Sequence, residues 1–74
     1  MKLQKLAKKV VDTYGLLHQT HLGVLRHYIK TTSEEALAKE ISKITSHKEL
    51  RTLWEAGLNT YLQDEVLKRL KAIE

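Results

Sequence analysis

Residues 2–30 read KLQKLAKKVVDTYGLLHQTHLGVLRHYIK. Wound as a helix, Leu3, Leu6, Ala7, Val10, Tyr14, Leu17, Val24, Leu25 and Tyr28 fall within one arc of about 100°, and Val11 and Ile29 extend its edge. Lys5, Lys8, Lys9, Asp12, Gln19, Arg26, His27 and Lys30 lie opposite. The register passes Gly15 and Gly23 without a phase shift, which predicts one continuous amphipathic helix over about 2–30. Each glycine costs about 1 kcal/mol relative to alanine inside a helix, so a break at Gly15 is the alternative.

Three further helix starts follow. Thr32-Ser33-Glu34-Glu35 and Ser46-His47-Lys48-Glu49 each place a hydroxyl at the cap and a carboxylate three residues on, and Thr60-Tyr61-Leu62-Gln63 is the amide version. The expected helices run over about 33–44, 47–57 and 60–73, with Gly57 as a stop after Ala56. Their apolar positions are Leu37, Ile41 and Ile44, then Leu50, Leu53, Trp54 and Leu58, then Leu62, Val66, Leu67, Leu70 and Ile73. Short loops imply that neighbouring helices pack as antiparallel hairpins. Residues 1–74 thus form a single all-α domain, a small helical bundle.

A rod of about 27 residues is roughly 40 Å long, while a 74-residue globule is about 29 Å across. The rod would protrude and expose its apolar stripe. A second copy across a two-fold axis would cover it, and the spacing through Leu3, Val10, Tyr14, Leu17, Val24 and Tyr28 suits a helix–helix seam. The expectation is a homodimer through the first helix. A helix broken at Gly15 would instead fold both halves onto one monomeric core.

The chain carries 13 Lys+Arg against 9 Asp+Glu, a net charge of +4. Residues 1–32 hold six cations and one acid, hence +5, and residues 33–74 hold seven cations and eight acids, hence −1. Such asymmetry points to a polyanionic partner, DNA or RNA, on one side of the molecule. Lys5, Lys8, Lys9, Arg26 and Lys30 share the solvent face of the expected rod and are the candidate phosphate contacts, with Lys48 and Arg51 secondary. The competing reading is a solvated lysine face on a helical protein–protein assembly subunit. Trp54 and Tyr61 offer stacking surfaces, although a single Trp in a small helical domain usually anchors the core.

Other chemistry has little support. The chain has no Cys, which removes disulfides, thiolate catalysis and Cys-ligated zinc, and fits a reducing, cytoplasmic setting. His18 and His21 stand three apart, but no third ligand stands at a recognisable metal spacing. His21 reads better as a core or interface histidine bonded to Tyr14 or a carbonyl. The three glycines are isolated, so nothing cradles phosphate as a loop would, and no catalytic constellation stands out. The expectation is no enzyme activity, no cofactor, no metal and no small-molecule ligand. The longest apolar run, Leu22-Gly23-Val24-Leu25, is too short for a membrane span.

Two stretches resemble known families. Leu50-Arg51-Thr52-Leu53-Trp54-Glu55-Ala56-Gly57-Leu58 resembles the end of a recognition helix in winged helix-turn-helix regulators. That likeness implies a preceding helix at 33–42 and Lys48, Arg51 and Thr52 facing a major groove. It departs from the family after Leu58, where a β-hairpin wing belongs and Thr60 to Glu74 reads as helix, and at Lys48, which stands where an apolar residue is required. Residues 41–74 are similar to a helical-hairpin module of small bacteriophage accessory proteins linked to DNA recombination and helicases. The likeness rests on Ile41, the Thr45-Ser46 cap, Leu50 and Leu53, then Val66, Leu70 and Glu74. It implies a nucleic-acid-associated accessory protein without catalytic activity.

Overall fold

A computed structural model describes residues 2–13 and 15–73. They form five α-helices and no strand: α1 (Lys2–Asp12), α2 (Leu16–Thr31), α3 (Glu34–Ile41), α4 (His47–Ala56) and α5 (Thr60–Ile73). The all-α bundle is as expected. The continuous rod is not, because the chain reverses between α1 and α2. Gly15 adopts φ 68°, ψ −138°, a combination that side-chain-bearing residues rarely adopt.

The reversal brings the α1 half of the apolar stripe against Leu22 and Leu25 of α2, while Leu17 and Val24, expected within the stripe, remain exposed. His18 Nδ1 lies 3.0 Å from the Val10 carbonyl and 3.1 Å from the Thr13 carbonyl, so the first turn of α2 satisfies the open end of α1. Thr13 Oγ1 donates to the Lys9 carbonyl at 2.7 Å. At the far end, Leu3 N–H and Tyr28 O–H both donate to Glu40, at 3.1 and 2.8 Å, so the start of α1 meets the end of α2. The pair is therefore an antiparallel hairpin. A rod of roughly 40 Å would exceed the longest dimension of the molecule, 32 Å. Folding back hides Leu3, Ala7, Val10, Leu22 and Leu25 in one core with Leu37, Ile41, Ile44, Leu50, Leu53, Leu62 and Val66.

With Leu3 and Val10 buried inside the subunit, the six-residue seam is split: Leu17 and Val24 stay exposed on α2, Tyr28 packs against the core, and Tyr14 lies outside the described residues. Helix α1 is the pillar of the bundle, packed against α2, α3 and α4. Consecutive helices α3 and α4 do not lie along each other as the short loop suggested. The link between them carries Ile44, which is fully buried, and Arg69 Nε donates to the Ile44 carbonyl at 2.7 Å. That link is thereby drawn into the core, while α3 packs on α5 and α4 on α2 and α5.

The caps follow the expected chemistry with shifts of one residue. Ser33, not Thr32, caps α3 by accepting from Ala36 N–H at 3.3 Å. Ser46 caps α4 through Glu49 N–H at 3.4 Å, yet Glu49 Oε1 is buried without a partner, so the reciprocal half of the capping box is unmade. Asn59 Oδ1, not Thr60, caps α5 through Leu62 N–H at 2.9 Å, and its amide donates to Glu34, tying α5 to the start of α3. Gly57 ends α4 with φ 93°, as anticipated.

Two alanine substitutions separate a hairpin from a rod. In a rod both would gain about 1 kcal/mol. Here Gly15→Ala is expected to cost about 1–3 kcal/mol, since open space surrounds the added methyl and the strain is purely backbone. Gly23→Ala, mid-helix and also in open space, is expected to gain about 1 kcal/mol. Urea unfolding at low micromolar chain concentration measures both, and a gain at Gly15 would restore the rod.

Candidate nucleic-acid interface

Every sequence-predicted cation is exposed: Lys5, Lys8, Lys9, Arg26, Lys30, Lys48 and Arg51. The break at Gly15 distributes them over three helices rather than along one track. On α1 the buried row Leu3, Ala7 and Val10 faces inward, which turns Lys5, Lys8 and Lys9 to solvent on the opposite side. Among the described residues the single ion pair joins Lys68 to Glu65 at 3.6 Å, so none of the seven cations is neutralised by a carboxylate. Asp12 is the only acid on α1.

The α1 face is held in place from behind by Glu40. Its carboxylate takes the Leu3 N–H, one of the donors that a helix start leaves open, and anchors Tyr28 on α2. Lys2 Nζ stands 5.6 Å above the Tyr28 ring, adding a cation–π contact. Burial, and then the hydrogen bond and charge of Glu40, push the Tyr28 hydroxyl pKa above its ordinary value, with a smaller opposing effect from Thr32.

Arg26 and Lys30 occupy a different setting. Together with Ile29 they line a hollow of about 310 Å³ closed by Ala56 and Gly57 at the C-terminal end of α4. Open carbonyls give a helix C-terminus partial negative charge, so these two cations have a structural reason to sit there. Lys48 and Arg51 lie on the outer side of α4. Thr52 does not join them: it is buried and donates to the Lys48 carbonyl at 2.9 Å, which corrects its expected groove-facing position. Helix α5 occupies the place where a winged helix-turn-helix would carry its wing.

Trp54 is 40% exposed and is not a core anchor. With Arg51, Glu55, Val66, Leu67 and Leu70 it lines an open groove of about 350 Å³ between α4 and α5. The apolar pattern placed Trp54 within the α4 stripe beside Leu50 but could not show that α5 leaves it uncovered. Glu40 was legible in principle, since the helical wheel sets it beside Leu37 and Ile44 on the inner side of α3. His18, not His21, makes the carbonyl contacts, and no group of three metal-ligating side chains occurs among the described residues. Among the same residues, no helix is long and apolar enough to cross a membrane. Compared with known protein families, characterised proteins and solved structures, the chain matches none.

Tyr28 yields a pH dependence. Its folded-state pKa lies above the unfolded value of 10.0, so the stability tied to its neutral form is complete below that value. It is lost as pH rises through the folded-state pKa. Tyr28→Phe should flatten this alkaline decline in unfolding free energy between neutral pH and the alkaline limit. An unchanged decline would remove Tyr28 from the account.

Proposed function

We propose that the chain is a small non-enzymatic accessory or regulatory protein that associates with nucleic acid. It holds phosphates against Lys5, Lys8 and Lys9 of α1, with Lys48 and Arg51 of α4 as secondary contacts, and works in the cytoplasm. The observation that carries this reading is the α1 outer face: three exposed lysines within two helical turns, none paired with a carboxylate. Like charges three and four residues apart repel on a helix, so helix stability does not account for the grouping. Arg26 and Lys30 contribute at longer range, because α4 already accommodates them. The resemblance of residues 41–74 to phage accessory modules leans the same way.

The reading requires counterion release. Three phosphate contacts give a slope of about −2.7 in log affinity against log salt on duplex DNA, or roughly a 40-fold loss between about 50 and 200 mM. Replacing Lys5, Lys8 and Lys9 with Gln should remove most of that slope while leaving the helical circular-dichroism signal unchanged. Titration of short DNA and RNA by fluorescence anisotropy measures it, and no binding at about 50 mM salt would sink the reading.

A second reading, a helical interaction subunit without nucleic-acid binding, draws support from the exposed Trp54 groove between α4 and α5. Exposed apolar side chains around a concave surface are the usual ground for a protein partner.

A further inference from the structure

The outer face of α2 differs from every other exposed helix face in the molecule. Leu16, Leu17 and Val24 are 87%, 62% and 48% exposed. Helical rotation groups them with Thr20, Gly23, His27 and Thr31 in an arc of about 120°. That arc contains no Asp, Glu, Lys or Arg, in a chain that is 30% charged. The charged residues of α2, Arg26 and Lys30, lie outside it and line the hollow against α4.

From this face we infer that α2 is a homodimerisation surface, occupied by α2 of a second copy in antiparallel two-fold contact. Three observations select that occupant. Shape comes first. A bulky pair, Leu16–Leu17, and a low pair, Gly23–Val24, are separated by seven residues, about 10 Å along the axis. A two-fold axis near Thr20 seats each leucine pair over the partner's Gly23–Val24 and leaves small Thr20 side chains at the crossing. Gly23 carries no side chain and open space surrounds it, so it is the low point of this face, over which a leucine of the partner can sit. Knob and hole thus both belong to this one sequence, as an isologous contact requires.

Desolvation comes second. The Thr20 hydroxyl already donates to the Leu16 carbonyl at 3.1 Å, and the Thr31 hydroxyl to the His27 carbonyl at 2.8 Å. Covering them strands no donor. Charge is third. Each chain carries +4, and this face lets two copies meet without opposing their cations. Apart from the His27 imidazole near its end, the face offers a charged partner nothing to pair with.

One helix face is small beside the roughly 800 Å² per partner of a stable interface, so the dimer is weak and forms only at high chain concentration. This inference does not rest on nucleic-acid binding, and its test contains no nucleic acid. Sedimentation equilibrium should show the weight-average mass rising above 8.6 kDa between about 10 μM and 1 mM chain. Val24→Glu should hold it at the monomer value, and the Lys5, Lys8 and Lys9 to Gln variant should not. The chain has no Cys, so single-cysteine variants report proximity cleanly. Under mild oxidation Thr20→Cys should form interchain disulfide at least about tenfold faster than Glu55→Cys. A mass fixed at the monomer value, association unaffected by Val24→Glu, or faster crosslinking at Glu55 in the Trp54 groove would each overturn the inference.

Discussion

The reversal at Gly15 is the constraint on which the rest of this bundle depends. A left-handed backbone value at that one position turns an apolar stripe back on itself, so that Leu3, Ala7 and Val10 face Leu22 and Leu25 instead of solvent or another chain. A domain of 74 residues has few apolar side chains to bury, and in a single chain a stripe left extended would leave its protruding end wet. Both ends of the resulting hairpin are fastened by polar contacts. His18 holds the carbonyls beside the turn, and Glu40 clamps the opposite end by accepting from Leu3 and Tyr28.

From that hairpin the surface follows. Helix α1, surrounded by α2, α3 and α4, has a single free side, and the lysines stand on it. Helix α2 lies at the edge of the bundle and keeps a side that none of the other helices covers. The same fold-back therefore separates a cationic face from an uncharged one, where a rod would have run both along its whole length. This separation is the physical basis for proposing phosphate contacts on α1 and self-association through α2.

Much of the architecture was legible in residue pattern. The existence of α3, α4 and α5, the Ser46 cap and the Gly57 stop follow from hydroxyls, carboxylates and glycine at local spacings. Cap positions at Ser33 and Asn59 differ by one residue from the pattern because adjacent hydroxyl and amide side chains offer nearly equivalent caps. The candidate cations were also readable as exposed, since lysines opposite an apolar arc have nowhere else to go. Their grouping was not: Arg26 and Lys30 share a wheel position with Lys5 and Lys9 only if the helix is unbroken.

Sequence by itself determined the helical class, the inward-facing rows of α1 and α3 and the sign of the charge on α1, because these depend on interactions within a few residues along the chain; on α2 it placed Leu17 and Val24 inward, where the fold buries Leu22 and Leu25 instead. Tertiary structure alone decided that the first apolar stripe closes on itself, that α3 packs on α5 rather than α4, and that Trp54 lines an open groove. Periodicity constrains which side of a helix is apolar but not what covers it. At Gly15 the local cost of turning is small for glycine, and folding back removes the apolar area from water within a single chain, which periodicity along the chain does not specify.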